Sequence, residues 1–383
     1  MSSRAVLASR SGSVAGWVSE AVEALGYDIV ETVTTASSEH GRYHLPPGVV
    51  DELETTLEGD DRALVVIDES VHPGQLVDIA ATLGADDVRD RRGIVFERLA
   101  AGGNDVAETR LDLYNRRIER RRAEQAQRQS ATQDPTGTSG RVEDLDRRCQ
   151  QLQTTLETQR RAARRRTEEM SENADGQVVL VGSPTVGAPR LWSALTGADE
   201  RNPGPFEPAR PVSARRSIGA HWLTMTATPG LIPGDPEWYR RVVPGTFAAL
   251  RGADIVVVVG RSPDRLEALC ETVGSQSEAT VLPARPQEKT ETGSIERPIS
   301  PATPQAIESC LQSELATVCV EVTLPYGDEA QALVSQLYDR RTISSVEYSD
   351  EIALAVEIPE DARRALRRQV SEVGGSLDSY GLL

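Results

Sequence analysis

Short apolar runs alternate with segments of helical periodicity near the start of the chain: Arg4 to Ala8, Val14 to Leu25, Ile29 to Val33, Val49 to Leu57, Ala63 to Ile67 and Leu76 to Leu83. Strand-length and helix-length stretches in that order predict a small α/β domain over residues 1–104 with a mainly parallel sheet. Pro46 and Pro47 open one of its helices and Pro73 another, where a missing amide hydrogen costs least. From about Glu108 to Met170 the apolar runs vanish, and charged residues recur at helical spacing on both sides of the turn-forming insert Asp134-Pro-Thr-Gly-Thr-Ser-Gly140. Residues 105–172 therefore read as two long helices folding back on each other, joined by a loop at 131–141. Alternation returns over 173–312, where Val178 to Val181 and Ile255 to Val259 are unbroken apolar runs of the kind buried on both faces of a parallel sheet. Over 313–383, Val318 to Leu324 alternates, Asp328 to Tyr338 is helical and Ile352 to Ile358 is a second strand, which makes a small α+β unit.

Charge changes this picture in one place. Asp and Glu number 59 against 42 Lys and Arg, and Lys289 is the single lysine. An acidic, nearly lysine-free surface fits a salt-rich cytoplasm, because carboxylates hold water and cations while salt screens their repulsion. Bias from Lys to Arg in the coding sequence would explain the missing lysine but not a net charge of -17. Between Arg110 and Arg166, however, 15 arginines face 8 carboxylates, so this stretch is +7 and the remainder -24. A basic arm on an acidic body points to a polyanion, and the planar guanidinium suits phosphate. A solvated coiled coil laced with Glu–Arg pairs explains the same composition.

Other chemistry is sparse. Cys149, Cys270, Cys310 and Cys319 lack zinc or disulfide spacing, and His40, His44, His72 and His221 lack ligand spacing and read as surface or turn residues. No nucleophile and base stand together, so neither a catalytic residue nor a metal site is assigned. Without a membrane-length apolar run or a signal-like start, a soluble cytoplasmic protein is expected, with neither membrane nor DNA as partner.

Gly182-Ser-Pro-Thr-Val-Gly187 follows a buried strand and precedes the helical segment Leu191 to Leu195, the setting of a phosphate-binding P-loop. In a working loop backbone amides cradle the phosphates, a lysine neutralises them and a Ser or Thr hydroxyl holds magnesium. Those last two positions are Ala188 and Pro189 here, and Pro184 and Pro189 also lack an amide hydrogen. One unit charge about 4 Å from a phosphate contributes about 4 kcal/mol at an effective dielectric near 20, so its loss weakens binding by orders of magnitude. Arg190 is the nearest remaining cation in sequence.

Leu191-Trp-Ser-Ala-Leu-Thr-Gly-Ala-Asp199 resembles the segment after the phosphate loop in the HflX family of ribosome-associated GTPases. Asp68-Glu-Ser-Val-His-Pro-Gly-Gln-Leu76, Asp90-Arg-Arg-Gly-Ile94, Glu108-Thr-Arg-Leu-Asp-Leu113, Thr136-Gly-Thr-Ser-Gly140 with Asp146-Arg-Arg148, Leu324-Pro-Tyr-Gly-Asp328, Leu337-Tyr338 and Ile358-Pro359 resemble further family segments in the same order. The resemblance implies a multidomain α/β fold: an N-terminal α/β domain with a two-helix coiled-coil arm, a P-loop GTPase-like parallel-sheet domain and a small C-terminal α+β domain. It also implies GTP and Mg2+ as cofactors, and the large ribosomal subunit and its rRNA as partner in ribosome rescue or splitting. The arm residues Arg116, Arg117, Arg121, Arg147 and Arg148 and the loop glycines Gly137 and Gly140 would then contact RNA.

The departures from the family are as ordered as the matches. Pro208 stands at the magnesium-sensing threonine of the first switch. Ala227-Thr-Pro-Gly-Leu231 replaces Asp-Thr-Val-Gly-Phe, so Gly230 survives without its aspartate. Pro283-Ala-Arg-Pro286 occupies the guanine-reading Asn-Lys-x-Asp, which Glu288-Lys-Thr-Glu291 imitates a few residues late. Joint loss predicts a pseudo-GTPase in which Gly182, Gly187, Ala188, Pro189 and Gly230 mark a degenerate nucleotide site and no cofactor is needed. A residual GTP switch using other residues and a coiled-coil interaction scaffold are the competing readings.

Overall fold

The computed structural model describes residues 3–57, 62–130, 139–170, 174–186, 188–198, 204–232, 234, 236–285, 300–340 and 342–382. The N-terminal unit runs β1 (Ser3–Ser9), α1 (Gly16–Ala24), β2 (Tyr27–Thr34), α2 (Pro47–Thr56), β3 (Leu64–Ile67), α3 (Pro73–Leu83), β4 (Asp87–Asp90) and α4 (Arg91–Ala101). Its strands pair in the order β2-β1-β3-β4, all parallel. Proline begins α2 and α3, and His72 caps α3 by accepting from the Gly74 amide at 3.1 Å. The strand β4 has a single apolar residue in Asp87-Val-Arg-Asp90, so periodicity could not announce it. It stops where the Asp90 carboxylate caps α4, accepting from Arg92 and Gly93 at 3.1 Å each.

Helices α5 (Asp105–Ser130) and α6 (Ser139–Met170) form the arm. They run antiparallel, with Arg166 near the end of α6 paired to Asp105 at the start of α5, around a thin seam of Val106, Leu113, Cys149 and Leu156. The arm is not a free prong. Helix α5 lies along α3 and α4, with Tyr114 against Phe96 and Gln125 donating to Asp78 at 2.6 Å.

The GTPase-like domain comprises β5 (Gly176–Gly182), α7 (Ala188–Thr196), β6 (Val212–Ile218), β7 (His221–Ala227), α8 (Glu237–Arg240), α9 (Pro244–Gly252), β8 (Ile255–Val259), α10 (Pro263–Gly274), β9 (Thr280–Arg285), β10 (Ser300–Pro301) and α11 (Pro304–Glu314). The sheet order is β10-β9-β8-β5-β7-β6, and β6 alone is antiparallel to its neighbour. Side chains alternate across it: Val178, Leu180, Ile255 and Val257 face α7 and α11, while Val179, Val181, Val256 and Val258 join the apolar core of the N-terminal unit. These two units therefore share one continuous core. The last unit, β11 (Thr317–Leu324), α12 (Asp328–Arg340), β12 (Thr342–Tyr348), β13 (Ile352–Pro359), α13 (Arg363–Glu372) and β14 (Ser376–Leu382), is an antiparallel sheet in the order β12-β13-β11-β14 with both helices on one face. His44 and His221, expected at the surface, are buried: His44 accepts from Arg10 Nε at 3.0 Å and His221 meets the Thr317 hydroxyl at 3.1 Å.

Asp68, just beyond β3, fixes how α1 sits. It is 1% exposed, accepts from the Ala15 amide at 2.6 Å and pairs with Arg91 at 3.0 Å. Burial pushes its carboxyl up to about 6, and the adjacent Arg91 only partly opposes that. Because the folded value lies above the unfolded one, this group's stabilising contribution is full below about pH 4 and is lost as pH rises through about 6. Urea unfolding of Asp68→Asn and wild type across that range is expected to shift in the variant's favour with rising pH, by up to about 3 kcal/mol. A pH-independent difference would contradict a desolvated carboxyl.

Candidate functional site: a closed phosphate loop

The loop leaves β5 at Gly182 and enters α7 at Ala188, so the strand–loop–helix order of a phosphate loop is present. Its surroundings are not those of a cradle. Gly182, Ser183, Pro184, Val186 and Ala188 are all buried. Pro184 and Pro189 have no amide hydrogen, the Val186 amide donates to the Ser183 carbonyl at 3.1 Å, and the Ala188 amide donates to the Val186 carbonyl at 2.8 Å. Among the described loop residues, two positions thus lack an amide hydrogen and two amides that a phosphate would need are bonded within the loop. Gly187 lies outside the described residues.

Both switch segments press on this loop. From the second, the Leu231 amide donates to the Gly182 carbonyl at 2.7 Å, and a Cβ added at Gly230 would stand 2.4 Å from Pro184 Cα. Gly230 is thus kept by contact with the loop backbone rather than by a phosphate. The Tyr239 hydroxyl donates to the Gly230 carbonyl. From the first, the Phe206 amide donates to the Pro184 carbonyl at 3.1 Å, and the Phe206 ring is fully buried, edge-on to Trp17 at 5.6 Å and tilted on Tyr239 at 6.0 Å. Phe206 holds φ at 61°, a left-handed conformation costing a bulky residue about 1–3 kcal/mol, so its packing must over-determine it. Helix α4 and the turn after it clamp the same segment: Arg98 pairs with Glu207, Asn104 Nδ2 donates to the Ala209 carbonyl at 2.7 Å, and Gly102 lies so near Ala209 that a Cβ would come within 2.5 Å. Pro208, where a metal-sensing hydroxyl was sought, sits inside this clamp.

What remains is a cavity of about 200 Å3 lined by Glu20, Glu207, Arg190, Arg261, Pro184 and Pro189 among others. That is below the roughly 300 Å3 at which ligand pockets begin. Two carboxylates face the two guanidiniums there, and Arg261 already donates to the Thr185 carbonyl at 3.2 Å. No lysine stands at Ala188 to meet a phosphate, and no hydroxyl at Pro189 to hold magnesium. These residues do not fit Mg·GTP, and no phosphoryl chemistry follows from them. Of the base-reading end, Pro286, Glu288, Lys289 and Glu291 lie outside the described residues.

The arm arginines are largely committed. Arg116 pairs with Glu119 at 2.9 Å and Asp112 at 3.3 Å, Arg121 with Glu124 at 2.8 Å, and Arg148 with Asp144 at 3.0 Å. Arg147 is 68% exposed and reaches Asp144 only at 3.8 Å. Arg117 is half-buried near Arg110, which lies over the Phe96 ring and is pushed down to about 10 by burial and by the neighbouring Arg117 and Arg160 cations. Gly140 is exposed in the first turn of α6, whereas Gly137 lies outside the described residues.

Residues that sequence reasoning passed over therefore shape the site: Trp17, Arg98, Asn104 and Tyr239, together with Phe206 in a role other than spacing. A signal existed for the rings. With aromatics at 4% of the chain, the six that meet in the unbroken series Trp17–Phe206–Tyr239–Trp238–Phe96–Tyr114 are a concentration.

No family model matches the chain, and no curated protein matches it. Among solved structures it is similar to a complex of SsGBP with GDP, at 15% identity over 74% of this chain and 93% of the other, with a TM-score of 0.42. It is also similar to a GTP-binding protein from the hyperthermophilic archaeon Sulfolobus solfataricus in complex with GDP, at 14% identity over 74% and 93% of the two chains, with a TM-score of 0.39. Likeness this distant assigns neither ligand nor activity.

Removing the Phe206 ring tests whether the segment that lies on the loop is core. Phe206→Ala is expected to cost about 3–5 kcal/mol in urea unfolding, and Gly230→Ala at least about 1–3 kcal/mol because its methyl would meet backbone. A cost near zero for both would show that the segment is mobile and the loop free.

Proposed function

We propose that this chain is an HflX-like pseudo-GTPase that binds the large ribosomal subunit through its basic helical arm, without nucleotide control, in translation or ribosome rescue. The observation behind the pseudo-GTPase part is the loop itself, whose Val186 and Ala188 amides bond within it and whose Pro184 backbone is packed against Gly230 and bonded to Phe206. Support for an rRNA partner comes from the family resemblance and from the charge reversal between the +7 arm and the -24 remainder. In high salt, phosphate attraction is weak, so shape and close contacts contribute more than net charge.

A coiled-coil scaffold is the second reading, favoured by the ion pairs that neutralise Arg116, Arg121 and Arg148 along the helices. Co-sedimentation with purified large ribosomal subunits in molar potassium chloride separates the two. Association is expected, and to the same extent with GTP, with GDP and with neither. Absence of association would leave the scaffold reading, and dependence on GTP would restore a switch.

A further inference from the structure

The arginines chosen from the sequence are mostly tied to carboxylates, which raises the question of which part of the arm is left to meet an anion. On α6, Arg147, Gln151, Thr154, Thr158, Arg161 and Arg165 are all exposed. They follow one another at steps of four, three, four, three and four residues, so at 3.6 residues per turn they fall within about 40° of a single line. This line runs opposite the buried seam of Leu145, Cys149, Leu156 and Thr167. Its 18 intervals extend about 27 Å at 1.5 Å per residue.

No carboxylate stands on the line between its ends. Among the described residues, Arg161 and Arg165 have no carboxylate within ion-pair distance; Glu157, beside the line, is held by Arg160 at 2.6 Å, and Asp144, beyond its first end, reaches Arg147 only at 3.8 Å. The hydroxyls in its middle are also disposed in one sense: Thr154 donates to the Gln150 carbonyl at 3.2 Å and Thr158 to the Thr154 carbonyl at 3.4 Å. With their protons turned inward, both oxygens present lone pairs to the outside.

We propose that this outward line of α6, rather than Arg116 and Arg121, is the contact surface for an RNA backbone. Guanidiniums at the two ends would take phosphates, and the threonine oxygens between them would accept from ribose 2′-hydroxyls, groups that DNA lacks. The assignment rests on the ribosome-binding reading given above.

The test compares wild type, the line variant R147Q/R161Q/R165Q and the control R116Q/R120Q/R121Q, titrated against large ribosomal subunits over a series of potassium chloride concentrations. Helix content and unfolding midpoint verify the fold of both variants. The line variant is expected to bind at least tenfold more weakly, and its slope of log affinity against log salt to fall by about 2–3, near one unit or slightly less for each lost phosphate contact. The control, whose charges are already neutralised within the arm, is expected to stay within twofold of wild type. If wild type binds and the line variant matches it, the line is wrong and the ribosome reading stands. If the line variant weakens without a change in salt slope, a protein occupies the surface and the RNA assignment falls. Failure of wild type to bind would overturn both.

Discussion

The edge of the Phe206 ring, set between Trp17 and Tyr239, is the contact on which the rest of the molecule depends. It brings the first switch segment, helix α1 of the N-terminal unit and the stretch after the second switch into one apolar core. The series of ring contacts continues through Trp238 and Phe96 to Tyr114 on α5, so the arm is joined to the same core. Each such pair adds about 0.5–1.5 kcal/mol beyond the area it buries. The larger effect is geometric. A switch segment must be able to leave its place at small cost, and elements that move are drawn from the weakly packed parts of a protein. Here Phe206, Leu231 and Ile232 are among the best-buried residues of the chain.

The loop chemistry follows from that packing. Once Phe206 is hydrogen-bonded to the Pro184 carbonyl and Gly230 lies on the Pro184 backbone, the loop needs no anion to be satisfied, and its prolines cost nothing as lost phosphate donors. Glycine is retained at 182 and 230 for close backbone approach: a Cβ at Gly182 would come within 2.7 Å of the Val259 carbonyl oxygen. The glycines that make a nucleotide loop recognisable therefore have a packing role of their own, whatever the loop binds.

The apolar runs at Val178 to Val181 and Ile255 to Val259 made the central strands legible, because strands buried on both faces have no other way to be written. The missing lysine at Ala188, the missing hydroxyl at Pro189 and the missing amide hydrogens at Pro184 and Pro189 were equally legible, since they are local. The contact of Trp17 with Phe206 was not. Trp17 and Phe206 lie in different units, and no periodicity links residues so far apart in the chain. Strand β4 was hidden by its polar composition, and α13 by four arginines in ten residues. On the arm, the sequence showed the excess of arginine but not its division, because Arg161 and Arg165 also stand three or four residues from carboxylates, at Glu157, Glu168 and Glu169, and only the folded contacts show which pairs form. That division separates Arg116 and Arg121 from Arg161 and Arg165.

The turn between β5 and α7, with no lysine at Ala188, no hydroxyl at Pro189 and two amides bonded within it, is expected not to hold a nucleotide. Calorimetric titration of the full chain with GTP and Mg2+ in molar potassium chloride tests it most directly. The account predicts no saturable heat up to millimolar nucleotide. A stoichiometric isotherm with a dissociation constant below micromolar would contradict it.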